Sequence, residues 1–230
     1  MKKFVILSGA GVSAESGIKT FRDSDGLWEN YNVADVADID GWYRNPGLVL
    51  KFYNERRRQL EKAQPNKAHL IIAEMEKYFD VTVVTQNVDN LHERAGSTKV
   101  IHLHGELTKV RPENSEDRGV KDIGYADINL GDCDSHGVQL RPHIVWFGEA
   151  VPMMTPAAAA VSKADILLII GTSLNVYPAA GLFRYVQPGT PIFLIDPKPI
   201  RLDYNHFRQI QEPATTGMEK LKQILLDEYL

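Results

Sequence analysis

The chain has 230 residues, which suits one large domain or one domain carrying a small insertion. Hydrophobic residues make up 43% and charged residues 24%, the balance of a soluble globular protein, and a formal charge of -4 argues against nucleic acid or an anionic membrane as partner. The longest apolar runs fall far short of the roughly 20 residues of a membrane span, and the single cysteine, Cys133, excludes an internal disulfide and predicts a cytoplasmic setting.

Met1-Lys2-Lys3-Phe4 superficially looks like a signal peptide, but its apolar run stops at Leu7 and glycines follow, so Phe4 to Leu7 reads as a buried strand. The run leads into Ser8-Gly9-Ala10-Gly11-Val12-Ser13-Ala14, a G-x-G-x-x-[GA] pattern. Glycine permits a tight turn whose N–H groups approach a pyrophosphate at a helix start. An ordinary strand-to-helix turn accounts for the same residues. The predicted helix is cut short at Gly17, and residues 18–26 are polar and loop-like. A hydride-transfer unit would continue to a second strand and an acidic ribose ligand; here the loop reads as a mobile cover over a ligand.

Pro46 to Ala63 is predicted as a helix with proline at its start, and Asn66 as the cap of a second, Lys67 to Tyr78. Val81 to Val84, Val100 to Leu103, Ile144 to Phe147, Ile166 to Ile170 and Ile192 to Ile195 are further buried strands. With Phe4 to Leu7 they make six short apolar strands, each running out into Gly, Asn, Asp, Thr or Ser. The fold class expected is α/β, a Rossmann-like doubly wound parallel sheet, whose ligand crevice lies outside the carboxyl ends of the strands. Residues 109–142 lose this pattern and read as a small inserted module, with Ile123, Tyr125, Ile128 and Val138 as candidates for a private core.

The strand tips hold Gln86, Asn87, Asp89, His104, Thr172 and Ser173. Asn and Asp can pair with an amide ligand, and a histidine titrating near neutrality can act as a general base. Equally, Asn and Asp satisfy turn backbones, and His92, His102 or His104 could each be a hydrogen-bonded structural histidine.

Gly9-Ala10-Gly11-Val12-Ser13 with Phe21-Arg22-Asp23, then Thr85-Gln86-Asn87-Val88-Asp89-Asn90-Leu91-His92, His104-Gly105-Glu106-Leu107, Phe147-Gly148-Glu149 and Gly171-Thr172-Ser173-Leu174 resemble the sirtuins, in the family's order, over nearly the whole chain. The resemblance implies an NAD-dependent protein-lysine deacylase. In that chemistry the acyl oxygen attacks the nicotinamide ribose, nicotinamide leaves, and an alkylimidate is resolved by water to lysine and O-acyl-ADP-ribose. It implies catalytic roles for His104, as base, and Asn87, which with Asp89 lines the nicotinamide pocket. Gly9, Ala10, Gly11, Ser13, Ala14 and Gln86 would hold ribose and phosphate, Phe21 would shield the reacting carbon, and Arg22 would steady the cover. Gly171, Thr172, Ser173, Asp196, Ala214 and Thr215 complete the expected NAD contacts. Asp196 stands where many sirtuins place asparagine, and Ala214 and Thr215 would border the adenine. Phe147, Gly148 and Glu149 resemble the segment along which a peptide lies by strand addition.

Tyr53 and Arg56, three apart on the Pro46 to Ala63 helix, resemble the pair of sirtuins that remove succinyl and malonyl groups, with Ala37 leaving room for the acyl chain. Removal of acetyl is also expected. Otherwise Tyr53 is a core residue and Arg56-Arg57-Arg58 a solvated basic face. Many sirtuins hold a structural zinc in the inserted module; one cysteine cannot supply that set, and no zinc is expected. The domains predicted are 1–108 with 143–230, binding NAD, and the module 109–142. Partners are acylated-lysine proteins, with no nucleic acid and no membrane; the protein is expected to be monomeric. An NAD glycohydrolase or ADP-ribosyltransferase using the same nicotinamide chemistry is the alternative.

Overall fold

Strands that are apolar at every position need cover on both faces, and the computed structural model supplies it. Residues 1–19, 27–28, 31–115, 118–200, 202, 204 and 207–230 are described. The strands are β1 (Lys3–Ser8), the short pair β2 (Leu27–Trp28) and β3 (Tyr31–Asn32), β4 (Asp80–Thr85), β5 (Val100–His102), β6 (Gly105–Pro112), β7 (Lys121–Asp122), β8 (Leu140–Ile144), β9 (Ile166–Ile170), β10 (Ile192–Ile195) and β11 (Phe207–Ile210). Between them lie α1 (Gly11–Ala14), α2 (Val33–Val36), α3 (Ile39–Arg44), α4 (Pro46–Lys62), α5 (Lys67–Glu74), α6 (Leu91–Ala95), α7 (Met154–Val161) and α8 (Ala214–Tyr229).

Six strands form one sheet in the order β11-β10-β9-β1-β4-β5, and every pairing is parallel. Alternation splits each strand between two cores. Phe4, Ile6, Val81, Val83, Ile166 and Leu168 pack under α5 and α8. Val5, Leu7, Leu167 and Ile169 face α7 and the 3-10 helix Ala179–Tyr185. The chain leaves β1 for β4 and β5 on one side, then returns to β9 and works outward on the other. The strand order therefore reverses beside β1, where a doubly wound sheet opens its ligand crevice.

One predicted strand is corrected. Ile144 to Phe147 does not join the parallel sheet: Ile144 closes β8, which pairs antiparallel with β6, as does β7. Its apolar residues serve a third core, in which Val36, Trp42, Leu107, Val110, Ile128, Ile144 and Trp146 pack on Val49, Phe52 and Tyr53 of α4. The sixth parallel strand is β11, Phe-Arg-Gln-Ile, whose half-buried edge position lets polar residues stand where periodicity looks for apolar ones.

The module has no private core either: Ile128 lies in the third core, and Ile123 and Tyr125 pack against it. Val138 is half-buried and donates its N–H to Asp134 at 2.9 Å, closing a turn. From α4, Asn54 grips the module by donating Nδ2–H to the Ile128 carbonyl at 2.9 Å and accepting the Ile128 N–H at 3.0 Å. Pro46 opens α4 and Asn66 caps α5 as predicted, Asn66 in a reciprocal box with His69; Asn45, not singled out in the sequence, caps α4 by accepting the Leu48 N–H.

Candidate functional site

Two loops that follow the central strands β1 and β9 abut. Gly9 and Gly11 donate their N–H groups to the carbonyls of Ile170 at 3.0 Å and Gly171 at 2.8 Å. A Cβ on Gly9 would lie 2.7 Å from Thr172 Cβ, and one on Gly11 2.7 Å from Gly171 Cα, so glycine is required by contact. These two amides hold loop to loop. The helix α1 that follows is a single turn, with Ser13 buried, Ala10 half-buried and Ala14 exposed.

Three predicted residues form one buried network beside this junction. Asn87 donates Nδ2–H to the Gly9 carbonyl and to Ser13 Oγ, each at 3.2 Å, and Ser13 donates its hydroxyl to Asp89 at 2.9 Å. Burial pushes the Asp89 carboxyl up from its ordinary range, against the Leu91 N–H and the Ser13 hydroxyl. Gln86 reaches Thr172 Oγ1 at 3.3 Å, drawing the tips of β4 and β9 together. Ser173 Oγ is buried with no hydrogen-bond partner among the described residues. Buried amide, carboxyl and hydroxyl groups around a glycine junction that has no room for a Cβ fit a nicotinamide dinucleotide.

His104 follows β5. Its Nδ1 lies 3.1 Å from the Gln86 carbonyl, which can only accept, so Nδ1 carries the proton and Nε2 holds the lone pair. Burial lowers the His104 pKa, outweighing that hydrogen bond, and keeps the ring neutral near pH 7. Gly105, at φ +80°, makes the turn beyond it; a Cβ there would meet the His143 carbonyl at 2.0 Å. The result is a neutral imidazole with a free basic nitrogen at the strand tips.

Residues 145–147 link this centre to the predicted acyl residues. Val145 donates its N–H to the His104 carbonyl at 2.9 Å, Trp146 donates Nε1–H to the Tyr53 hydroxyl at 2.9 Å, and Phe147 donates its N–H to the Ala37 carbonyl at 2.9 Å. Tyr53 is 1% exposed, and burial drives its phenol pKa upward. The Arg56 guanidinium stacks 5.1 Å from the Phe52 ring. Arg56 and Arg57 are buried and only Arg58 of the three faces solvent, paired with Asp127, so the solvated basic face fails, while the other half of that alternative, Tyr53 as a core residue, is what the third core shows. Main-chain groups of Trp146 and Phe147 are already paired, with Glu149 and with Ala37 and Ile39. Strand addition by a peptide is thus left to Gly148 onward. Glu149 is held by Arg141 at 2.7 Å, and its carboxylate anchors this segment from within.

Other predicted residues stand apart from the network. Asp196, after β10, accepts the Lys198 N–H at 2.9 Å in a local turn. Ala214 and Thr215 open α8, and Thr215 donates its N–H and hydroxyl to Glu15 at 3.0 and 2.8 Å, so an internal carboxylate caps that helix. Phe21 and Arg22 lie outside the described residues. Sequence reasoning missed His69, Asn66 as a brace on α1 through the Val12 carbonyl at 2.8 Å, and the pairing of His92 with Ser8 at 3.0 Å. The Asn66/His69 spacing was the one available signal. Glu93, His102 and Glu106 are the group of possible metal ligands among the described residues. Glu93 already binds His102 Nε2 and Lys109 binds Glu106, so these groups are satisfied without an ion.

Comparison with known proteins gives a consistent picture. The sequence profile of the Sir2 family matches residues 9–178. A protein named NAD-dependent protein deacylase from Bacteroides thetaiotaomicron is 55% identical over 98% of this chain and 99% of its own length. Another of that name, from Helicobacter pylori, is 52% identical over 99% of each chain. The crystal structure of a Sir2 homologue–NAD complex superposes with a TM-score of 0.88 at 40% identity, covering 98% of this chain and 90% of that one.

Proposed function

This chain belongs to the Sir2 family, and we propose that it is an NAD-dependent protein-lysine deacylase that removes succinyl and malonyl groups as well as acetyl. The observation that carries the catalytic reading is His104, neutral, with Nδ1–H committed to the Gln86 carbonyl and Nε2 left basic. When bound, NAD supplies a glycosidic bond whose cleavage activates its ribose toward the acyl oxygen. Gly9, Ala10, Gly11, Ser13, Ala14 and Gln86 hold its ribose and phosphates, with Gly171, Thr172 and Ser173 opposite. Asn87 and Asp89 bind the carboxamide, the amide of Asn87 offering both donor and acceptor and the carboxyl of Asp89 an acceptor. Asp196, Ala214 and Thr215 lie toward the adenosine end. His104 Nε2 takes a proton from a ribose hydroxyl.

The acidic acyl preference is supported by Tyr53 and Arg56, a phenol and a guanidinium three residues apart on α4, with Ala37 joined to the same segment through Phe147. A buried guanidinium is the residue suited to a carboxylate. The peptide lies along Phe147–Glu149, pairing from Gly148 onward. Acylated proteins are its partners, and the chain works as a cytoplasmic monomer; no helix among the described residues is long and apolar enough to cross a membrane.

Turnover of succinyl-lysine and acetyl-lysine peptides by wild type, Tyr53→Phe and Arg56→Met tests the preference. Both variants should lose desuccinylation at least tenfold more than deacetylation. Equal losses on the two peptides would leave Tyr53 and Arg56 with a structural role alone.

A further inference from the structure

Two histidines, two residues apart, clamp successive carbonyls of one loop. His104 Nδ1 faces the Gln86 carbonyl at 3.1 Å, and His102 Nδ1 faces the Asn87 carbonyl at 3.0 Å. The far sides of the rings differ. His102 Nε2 lies 2.7 Å from a Glu93 carboxylate oxygen. Both neighbours of His102 are therefore acceptors only. A neutral imidazole has one N–H and one lone pair, so either tautomer would set a lone pair against an oxygen. Only the imidazolium satisfies both.

We infer that Glu93 and His102 are positioning residues for the reaction, the doubly protonated His102 tying the Glu93 carboxylate to the Asn87 main chain. The inference rests on the proposal that the Gln86–Asp89 loop receives nicotinamide. Asn87 is otherwise held by its side chain, on Gly9 and Ser13, and by its N–H on the Thr85 hydroxyl at 3.0 Å, so this clamp is what fixes its carbonyl.

The charged groups around His102 agree. Glu93 comes from α6, and Glu106, itself bound to Lys109, comes from β6; Asp89 stands in the loop, and His92 of α6 is buried and held neutral. Burial works against the charge on His102, but the Glu93 bond, the Glu93 charge and Glu106 outweigh it, and the net direction is up. His104, with no carboxylate partner among the described residues, moves down through burial. Catalysis then needs His104 neutral and His102 charged. The acid limb of activity falls below the ordinary histidine pKa of about 6.5 and belongs to His104; the alkaline limb falls above it and belongs to His102. As pH rises through the raised value, the clamp on Asn87 is lost.

The test compares nicotinamide release across pH for wild type, Glu93→Gln and Glu93→Asp, alongside ¹⁵N spectra of the histidine rings. Glu93→Gln keeps an acceptor but removes the charge. Its alkaline limb should move acidward by about one unit or more, so that its loss grows with pH to about tenfold or more. Glu93→Asp should restore much of the wild-type limb. At pH 6.5 His102, assigned by its disappearance in His102→Gln, should show both ring nitrogens protonated in wild type, with the Asn87 amide shift following its titration. A Glu93→Gln loss uniform across pH, an unchanged profile, or a singly protonated His102 in wild type would overturn the inference. Absence of nicotinamide release by wild type would refute the catalytic reading, while the ring and amide titrations would still decide the clamp.

Discussion

Where β1 and β9 lie side by side, their contacts are hydrocarbon on both faces, from Phe4 and Ile6 to Leu167 and Ile169. Where the antiparallel sheet meets α4, apolar packing is threaded with charge. Arg57 is 0% exposed and donates to the Leu107 carbonyl at 3.3 Å and to Asn54, and its pKa is lowered to about 10 by burial. The Arg141 guanidinium sits 3.5 Å from the Trp146 ring centroid and binds Glu149 through both terminal nitrogens. The difference shows two ways of fixing a platform. Hydrophobic burial holds the strand tips in place without specifying partners, whereas a small sheet with little area to bury gains its register from paired charges and main-chain grips.

The sharpest way to separate the regions is Arg141→Met. Removing Arg141 leaves Glu149 with only the weaker Arg111 contact at 3.3 Å and the Trp146 N–H, and should cost about 3 kcal/mol in denaturant unfolding. Its pH dependence should set it apart. Burial pushes the Glu149 carboxyl up, but Arg141 and Arg111 outweigh burial and hold it below the usual range. A depressed folded pKa means stability that is present above the unfolded value of about 4.3 and lost as pH falls through the folded one. Hydrogen exchange across residues 105–149 should accelerate in acid in wild type, and that dependence should weaken in the variant, where only Arg111 and the Trp146 N–H still lower the carboxyl. Leu168→Ala in the parallel sheet should cost about 2–5 kcal/mol by cavity formation, with no such acid dependence. If both variants respond to pH alike, the contrast drawn above is wrong. Asn54→Ala, which strands two main-chain groups of Ile128, should cost about 1–3 kcal/mol and raise exchange around residues 123–128 first. Arg58→Ala, which breaks only the exposed pair with Asp127, should change stability by less than about 1 kcal/mol.

The sheet was legible because strands buried on both faces are apolar at each position, and that pattern has few other causes. β11 was not, since an edge strand tolerates arginine and glutamine. Ile144 to Phe147 misled because an apolar run states that a segment is buried without stating in which core. At the site, the strand tips brought Gln86, Asn87, Asp89 and Thr172 into contact with the glycine junction as their positions suggested. Glu15, Asn54 and Arg141 were invisible because each meets a partner that the fold, not the spacing, selects. Residue type alone did not separate His102 from His104, and only the family resemblance did; in the structure what distinguishes them is the Glu93 carboxylate that His102 Nε2 faces.

The absence of a side chain at Gly11 and Gly171 has a bearing on how the protein comes into being. Those residues are separated by most of the chain, and they touch only after β9 has docked against β1. The glycine junction consequently cannot be formed by either segment alone. Cofactor affinity should then serve as a report on the completed sheet, vanishing together with the β1/β9 pairing and not before it.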